Sequence, residues 1–283
     1  MSKFLRFLLH FSASGPFFSQ KCYDLLSPNR RVFMNLLDII NKAKAENAKT
    51  LDLSQQGLRL LPPELFEIQS LEELNLDRNK LVELPDDIGM LKNLKSLSVS
   101  ENDLMELPDT IGKLTKLENL YLGYNSLSEL PATVGNLTNL HTVNIAKNQL
   151  LELPVEIGNW GKVVKLSLHD NMLSSIPSSI GKLKSLVKLY LDNNDLTEIP
   201  ASLGNLANLE ILMISGNQLS AIPQEFGKLS KLRELVLDAN QLETLPEALA
   251  DCASLETISI NENPMEDGLP RALLEKKGLK IDQ

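Results

Sequence analysis

From Ala48 to Ile260 the hydrophobic positions return every 23 residues without a slip. The clearest copy reads Leu71-x-x-Leu74-x-Leu76-x-x-Asn79-x-Leu81-x-x-Leu84-Pro85-x-x-Ile88-Gly89-x-Leu91. One step on it becomes Leu94, Leu97, Val99, Asn102, Leu104, Leu107 and Pro108. It persists to Leu232, Leu235, Leu237, Asn240, Leu242, Leu245 and Pro246, which makes ten units. A period in this range predicts stacked units, none of which can bury its apolar face alone. Around Leu74 and Leu76 the alternation has period two, which predicts a short strand with one buried face. Successive strands must then run parallel, and each connection has room for only a turn and a short helix.

Three further columns run through the units. Pro62, Pro85, Pro108, Pro131, Pro154, Pro177, Pro200, Pro223 and Pro246 are placed at the first position of the short helix, where a missing N–H costs nothing. Gly89, Gly112, Gly135, Gly158, Gly181, Gly204 and Gly227 are expected to let neighbouring turns pack closely. Asn79, Asn102, Asn125, Asn148, Asn171, Asn194, Asn217, Asn240 and Asn263 follow the strands, with Gln56 in their place in the first unit. A side-chain amide both donates and accepts, so this column is expected to pair the open backbone groups of adjacent turns.

With these motifs, over about three quarters of its length, the chain resembles the leucine-rich repeat proteins. The LPxxIGxL element resembles the intracellular Ras-group type, which includes plant intracellular Ras-group proteins and the repeat regions of Scribble-like scaffolds. The resemblance implies an α/β solenoid: a curved right-handed horseshoe with a concave parallel β-sheet and short convex helices. It also implies a binding role, with small Ras-like GTPases and phosphatase subunits as candidate partners.

The ends fall outside the repeat. Met34 to Lys44 reads as an amphipathic helix with Leu36, Leu37, Ile39, Ile40 and Ala43 on one side, so residues 34–47 are assigned as the N-terminal cap and 48–263 as repeats. Residues 264–283 are assigned as the C-terminal cap. Within them Leu269 to Lys277 is expected to be helical and to stop at Gly278. Ile281 falls in phase with the strand leucines, so a partial eleventh strand is expected. Residues 1–33 carry Lys3, Arg6, Lys21, Arg30 and Arg31 against a single acid, Asp24. The apolar run Phe4–Phe11 is interrupted by Arg6 and His10 and makes a poor secretory signal; a mitochondrial-type transit peptide is open. The preferred reading is a disordered tail, or an over-extended start with Met34 as the true first residue.

The formal net charge of −9 argues against nucleic acid as a partner, and nothing reaches the apolar length of a membrane span. Of the two cysteines, Cys22 lies in the tail and Cys252 sits in the column of Leu91, Leu114, Leu137, Trp160 and Leu183, where a buried small hydrophobe is expected. Cysteine clusters of the kind that cap secreted leucine-rich repeats are missing. The expected compartment is therefore reducing and cytoplasmic, with a mitochondrial alternative from the basic segment.

Recognition is expected on strand positions that point away from the core: two, four, six and seven residues after the first leucine of each unit. The first three units place small or acidic residues there, among them Thr50, Asp52, Ser54, Glu73, Asp77, Ser96, Ser98 and Ser100. The middle units place Tyr121, Tyr124, Lys147, Lys165, His169, Lys188 and Tyr190, followed by Ile211, Met213 and Val236. Glu234, Asp238 and Glu262 then return the surface to negative charge. Exposed tyrosines and aliphatic side chains beside cations are what interface centres use. A single contiguous patch is expected, docking a protein with acidic and apolar groups.

Chemistry has no comparable signal. The Gly-Lys pairs at 112, 181 and 227 lack the upstream glycine of a phosphate loop. His10, His141 and His169 have no metal-ligand spacing with the cysteines, and His169 beside Asp170 has no nucleophile column. No catalytic residue, cofactor or metal is assigned, and the chain is expected to be monomeric. The expected function is a non-enzymatic scaffold or adaptor in intracellular signalling. The alternative is a microbial effector or an innate-defence recognition module using the same surface.

Overall fold

A computed structural model describes residues 30–283. Eleven three-residue strands lie side by side in chain order in one parallel sheet, β1 (Thr50–Asp52), β2 (Glu73–Asn75), β3 (Ser96–Ser98), β4 (Asn119–Tyr121), β5 (Thr142–Asn144), β6 (Lys165–Ser167), β7 (Lys188–Tyr190), β8 (Ile211–Met213), β9 (Glu234–Val236), β10 (Thr257–Ser259) and β11 (Lys280–Asp282). Each residue pairs with the one a full period away, as in Leu74 with Leu97 and Leu189 with Leu212. The middle residue of each strand from β1 to β10 is buried and its two neighbours are exposed or half-buried, Ser167 alone excepted, so the two-residue alternation of the sequence becomes one dry face and one wet face. This is the leucine-rich repeat solenoid.

Behind each strand from β1 to β9 the chain crosses back through a five-residue 3₁₀ turn, of which Asp86–Met90 is typical. The predicted short helices are present in this tighter form. Proline does not occupy their first position. Pro85 stands one residue earlier with φ −71° and ψ 155°, extended, and its carbonyl accepts the Ile88 N–H at 3.0 Å. Its ring fixes a φ suited to the extended backbone before the turn, and no donor is needed there. Only the first unit, with Pro62-Pro63, also has a proline inside the turn.

The glycine column works as expected. A Cβ on Gly112 would lie 2.5 Å from the Thr133 carbonyl oxygen, and one on Gly227 equally close to that of Ala248. Backbone of the next turn already fills the space. In the first unit the column holds the buried Phe66.

The asparagine ladder also forms. Asn148 Oδ1 accepts the Leu127 N–H at 3.0 Å, and its Nδ2 donates to the carbonyls of Leu122 (3.0 Å) and Ile145 (3.1 Å). Each asparagine from 79 to 263 repeats this bracket between its own unit and the one before, so the buried loop backbone is paired through side chains. Just ahead of it runs a column of left-handed residues, from Gln55 (φ 58°) and Arg78 (φ 56°) through Tyr124, Lys147 and Asp170 to Glu262. For L-residues this conformation costs about 1–2 kcal/mol each, and the paired amide beside it holds the turn there.

At the N-terminal end, helix α1 spans Arg30–Ala45. It begins four residues before the sequence-based boundary, so residues 30–33 belong to the cap helix; the expectation of a tail or targeting segment for 1–29 lies outside the described residues. Leu36, Ile40 and Ala43 are buried on the first unit and Leu37 and Ile39 are partly so. Asn47 ends the helix in the left-handed region (φ 50°), with the Ala48 N–H returning to the Ala43 carbonyl at 2.9 Å, the usual six-to-one closure. At the other end the expected helix shrinks to one turn, α2 (Arg271–Leu274), which buries Leu273. Pro270 precedes it without a donor. The chain must then reach Gly278 (φ 83°) and launch β11, which pairs Ile281 with Ile258. The partial eleventh strand is present.

Candidate functional site

The wet face of the sheet is built in rows, because strict 23-residue pairing puts equivalent side chains of successive strands next to each other. One row runs Asn119, Thr142, Lys165, Lys188, Ile211, Glu234 and the next Tyr121, Asn144, Ser167, Tyr190, Met213, Val236. With strands about 4.8 Å apart, side chains on neighbouring strands are in reach of one another.

All ten candidate residues are half-buried or exposed. They form two centres. On β4 and the turns after β4 and β5, Tyr121 stands beside Tyr124, which is 55 % exposed; the Lys147 ammonium lies 4.7 Å from the Tyr124 ring centroid. Tyr124, with Asp170 beyond it, holds the Lys147 amine above its usual range. On β6 to β9, the Lys165 ammonium lies 5.5 Å from the Tyr190 ring centroid, with Lys188, Ile211, Met213 and Val236 around it. Between the centres the tyrosine row holds only Asn144 and the buried Ser167.

His169 is engaged by its neighbour. Its Nδ1 is 2.7 Å from Asp170 Oδ2, and the other Asp170 oxygen accepts from Asn193 Nδ2 at 2.9 Å. Burial is the largest single influence on Asp170 and raises it, but His169, Asn193 and Lys147 together leave its carboxyl below the usual range. Asp192, in the same row as His169, is pushed up by burial, against the opposing pull of the Ser215 N–H. His169, Asp170 and Asn193 make a hydrogen-bonded polar cluster with no nucleophile in it.

A further feature of this face comes from aspartates at a single phase of the repeat. Asp77, Asp192 and Asp238 each accept a backbone N–H from the turn of the following unit: Ser100 at 2.7 Å, Ser215 at 2.9 Å and Asn261 at 2.7 Å. Asp238 also takes the Ser259 hydroxyl at 2.6 Å. The returning negative charge at that end is thus partly tied into the frame, leaving Glu234 and Glu262 as the open carboxylates. The recurrence of Asp at one phase of the repeat was the available signal.

Among the described residues no three His, Cys, Asp or Glu side chains are grouped to hold a metal ion, and no helix is long and apolar enough to cross a membrane. Cys252 is fully buried, its thiol donating to the Phe226 carbonyl at 3.1 Å; burial pushes it up to about 11. It fills the place where Trp160 donates to the Val134 carbonyl.

The leucine rich repeat family model matches residues 46–104, 138–196 and 207–265, a two-copy version matches 184–227 and a single repeat matches 116–137. No curated protein matches the chain. Among solved structures, a leucine-rich repeat protein of Leptospira interrogans is 32% identical over 85% of this chain and 68% of its own, with a TM-score of 0.75. The plant peptide hormone receptor RGFR1, solved in complex with RGF2, is 37% identical over 86% of this chain, with a TM-score of 0.76; the chain spans only 40% of that receptor. YopM, a leucine-rich effector protein from Yersinia pestis, is 27% identical over 81% of this chain and 65% of its own, with a TM-score of 0.60.

Proposed function

Because the chain belongs to the leucine-rich repeat family, we propose that it is a non-enzymatic scaffold that binds a protein on the concave face of β4 to β9. The observation that carries this is the row Tyr190, Met213, Val236: three apolar side chains in register, half-exposed, beside two lysines. Leucine-rich repeat proteins are in general binding scaffolds, and an aromatic and aliphatic centre with charges around it is the composition of interface cores. The resemblance of the LPxxIGxL element to the Ras-group type supports an adaptor in intracellular signalling, with a small GTPase or a phosphatase subunit as the partner. A buried free thiol at Cys252 accords with a reducing compartment such as the cytoplasm.

Affinity capture with wild type and with Tyr121→Ala/Tyr190→Ala tests the surface. Truncating an interface anchor costs about 2 kcal/mol or more, so the double variant should bind the captured partner at least about thirtyfold more weakly. Undiminished affinity would remove this face as the contact surface. A second reading, an effector acting on a host protein through the same surface, is favoured by the likeness to YopM; a captured partner from a host lysate, absent from the producing organism, would select it.

A further inference from the structure

The residue just before each strand's outward pair forms a row along the sheet margin, and its charges alternate: Lys49, Glu72, Lys95, Glu118, then His141, and after a break Glu210, Arg233, Glu256. Each unbroken stretch holds ion pairs within the row. Glu72 accepts from both Lys49 and Lys95, the latter at 2.6 Å. Arg233 reaches Glu256 at 3.1 Å. The break falls on β6 and β7, where Val164, 41 % exposed, and Val187 take the two places. The alternation resumes in phase at Glu210, so two apolar residues replace one acid and one base without shifting the pattern.

At the same two strands the adjacent row sets Lys165 directly opposite Lys188. Like charges facing each other on neighbouring strands destabilise a sheet. Among the described residues neither lysine forms an ion pair, although the chain carries a net charge of −9. Among the described residues the two cations are thus left without a carboxylate partner, Lys165 having only the face of the Tyr190 ring, at the place where the margin also omits an acid. Next to them the same rows turn apolar on β8 and β9 with Ile211, Met213 and Val236, and reach an open carboxylate at Glu234.

We propose that this locus binds an extended peptide segment of the partner carrying an acidic side chain two and four residues from aliphatic ones. The inference rests on the binding role proposed above and names its chemistry. The midpoint of the lysine pair lies about 7 Å from β8 and about 12 Å from β9 at the ordinary strand spacing. Alternate side chains of an extended peptide recur about every 6.6 Å on one face. An acid over Lys165 and Lys188 thus sets one aliphatic residue over Ile211 and Met213 and a second over Val236. Val164 and Val187 shield the carboxylate from water on the margin side, and Glu234 rejects an acid at the far end.

The test uses a capped peptide, acetyl-Ser-Glu-Thr-Leu-Thr-Val-Ser-amide, its glutamine analogue, and one with an extra glycine between Glu and Leu. Titration calorimetry with the full chain should give salt-sensitive binding to the first, weakened roughly tenfold or more in both analogues and by Lys165→Ser/Lys188→Ser. The variant Val164→Glu/Val187→Lys restores the alternating row; it should keep the thermal midpoint and lose the peptide. Equal binding by the lysine variant, or no binding of any peptide by wild type, overturns the proposal. Capture of a partner that depends on Tyr121 and Tyr190 but not on Lys165 and Lys188 would also overturn it while leaving the scaffold reading intact.

Discussion

Replacing Asn148 with leucine keeps the number and branching of the side-chain heavy atoms while removing every hydrogen bond they make, which makes its cost readable. Asn148 is 7 % exposed. Its Oδ1 is the partner of the Leu127 N–H at 3.0 Å; without it that donor is buried and orphaned, at about 1–3 kcal/mol. The two carbonyls lose less. That of Leu122 keeps Asn125 Nδ2 at 3.0 Å and that of Ile145 keeps Asn171 Nδ2 at 3.0 Å. Each forfeits a second bond worth about 0.5 kcal/mol, so the total is about 2–4 kcal/mol. Asn125 makes the same bracket, including the Leu104 N–H at 3.0 Å, but is half-buried, so water can replace part of it. Asn125→Leu should therefore cost less than Asn148→Leu. Urea unfolding followed by circular dichroism measures both, as a lower midpoint with the slope retained. An unchanged midpoint and slope for Asn148→Leu, or a larger loss for Asn125→Leu, would refute the ladder as a stabilising device.

Gly112→Ala pushes a methyl to 2.5 Å from the Thr133 carbonyl and should lower stability by about 1–3 kcal/mol, whereas Gly161→Ala meets nothing within 4 Å and should be neutral or gain about 0.5 kcal/mol; the two midpoints compared side by side decide it. Cys252, in a Cys22→Ser background, should stay unreactive to Ellman's reagent at pH 8 because burial holds its thiol near 11. Fast labelling of native protein would contradict that. Glu72 is held down to about 2 from an ordinary 4.5 by its hydrogen bonds to Lys49 and Lys95. A depressed folded-state carboxyl stabilises above its unfolded pKa and stops doing so as pH falls through the folded value, so Glu72→Gln should flatten the stability profile between pH 4.5 and 2 and nowhere else.

The solenoid was legible because its information is periodic: a 23-residue period with leucines two apart leaves one way to stack, and even Ile281 could be put on the correct strand from its phase. What escaped was local chemistry that tolerates any residue type. The left-handed column holds Gln55, Arg78, Glu101, Tyr124 and Lys147 as readily as Asn193 and Gly216, because the amide ladder beside it enforces the conformation, so composition carries no trace. The proline column was read one residue too far into the turn, since a ring that fixes φ suits the extended approach as well as the first helical position.

The candidate surface divides in the same way. Which strand side chains face outward followed from the two-residue alternation, Tyr124 and Lys147 stand on the turns after the strands, and all ten are half-buried or exposed. How they combine did not, because it depends on register between residues 23 apart. Only the pairing of β6 with β7 reveals that Lys165 opposes Lys188, and only the row of ion pairs beside it makes Val164 and Val187 an interruption. A scaffold that fixes shape with leucine and asparagine is free to vary everything else. The break in its charge alternation at Val164 and Val187 is then where the proposed peptide, and not the fold, sets the residue.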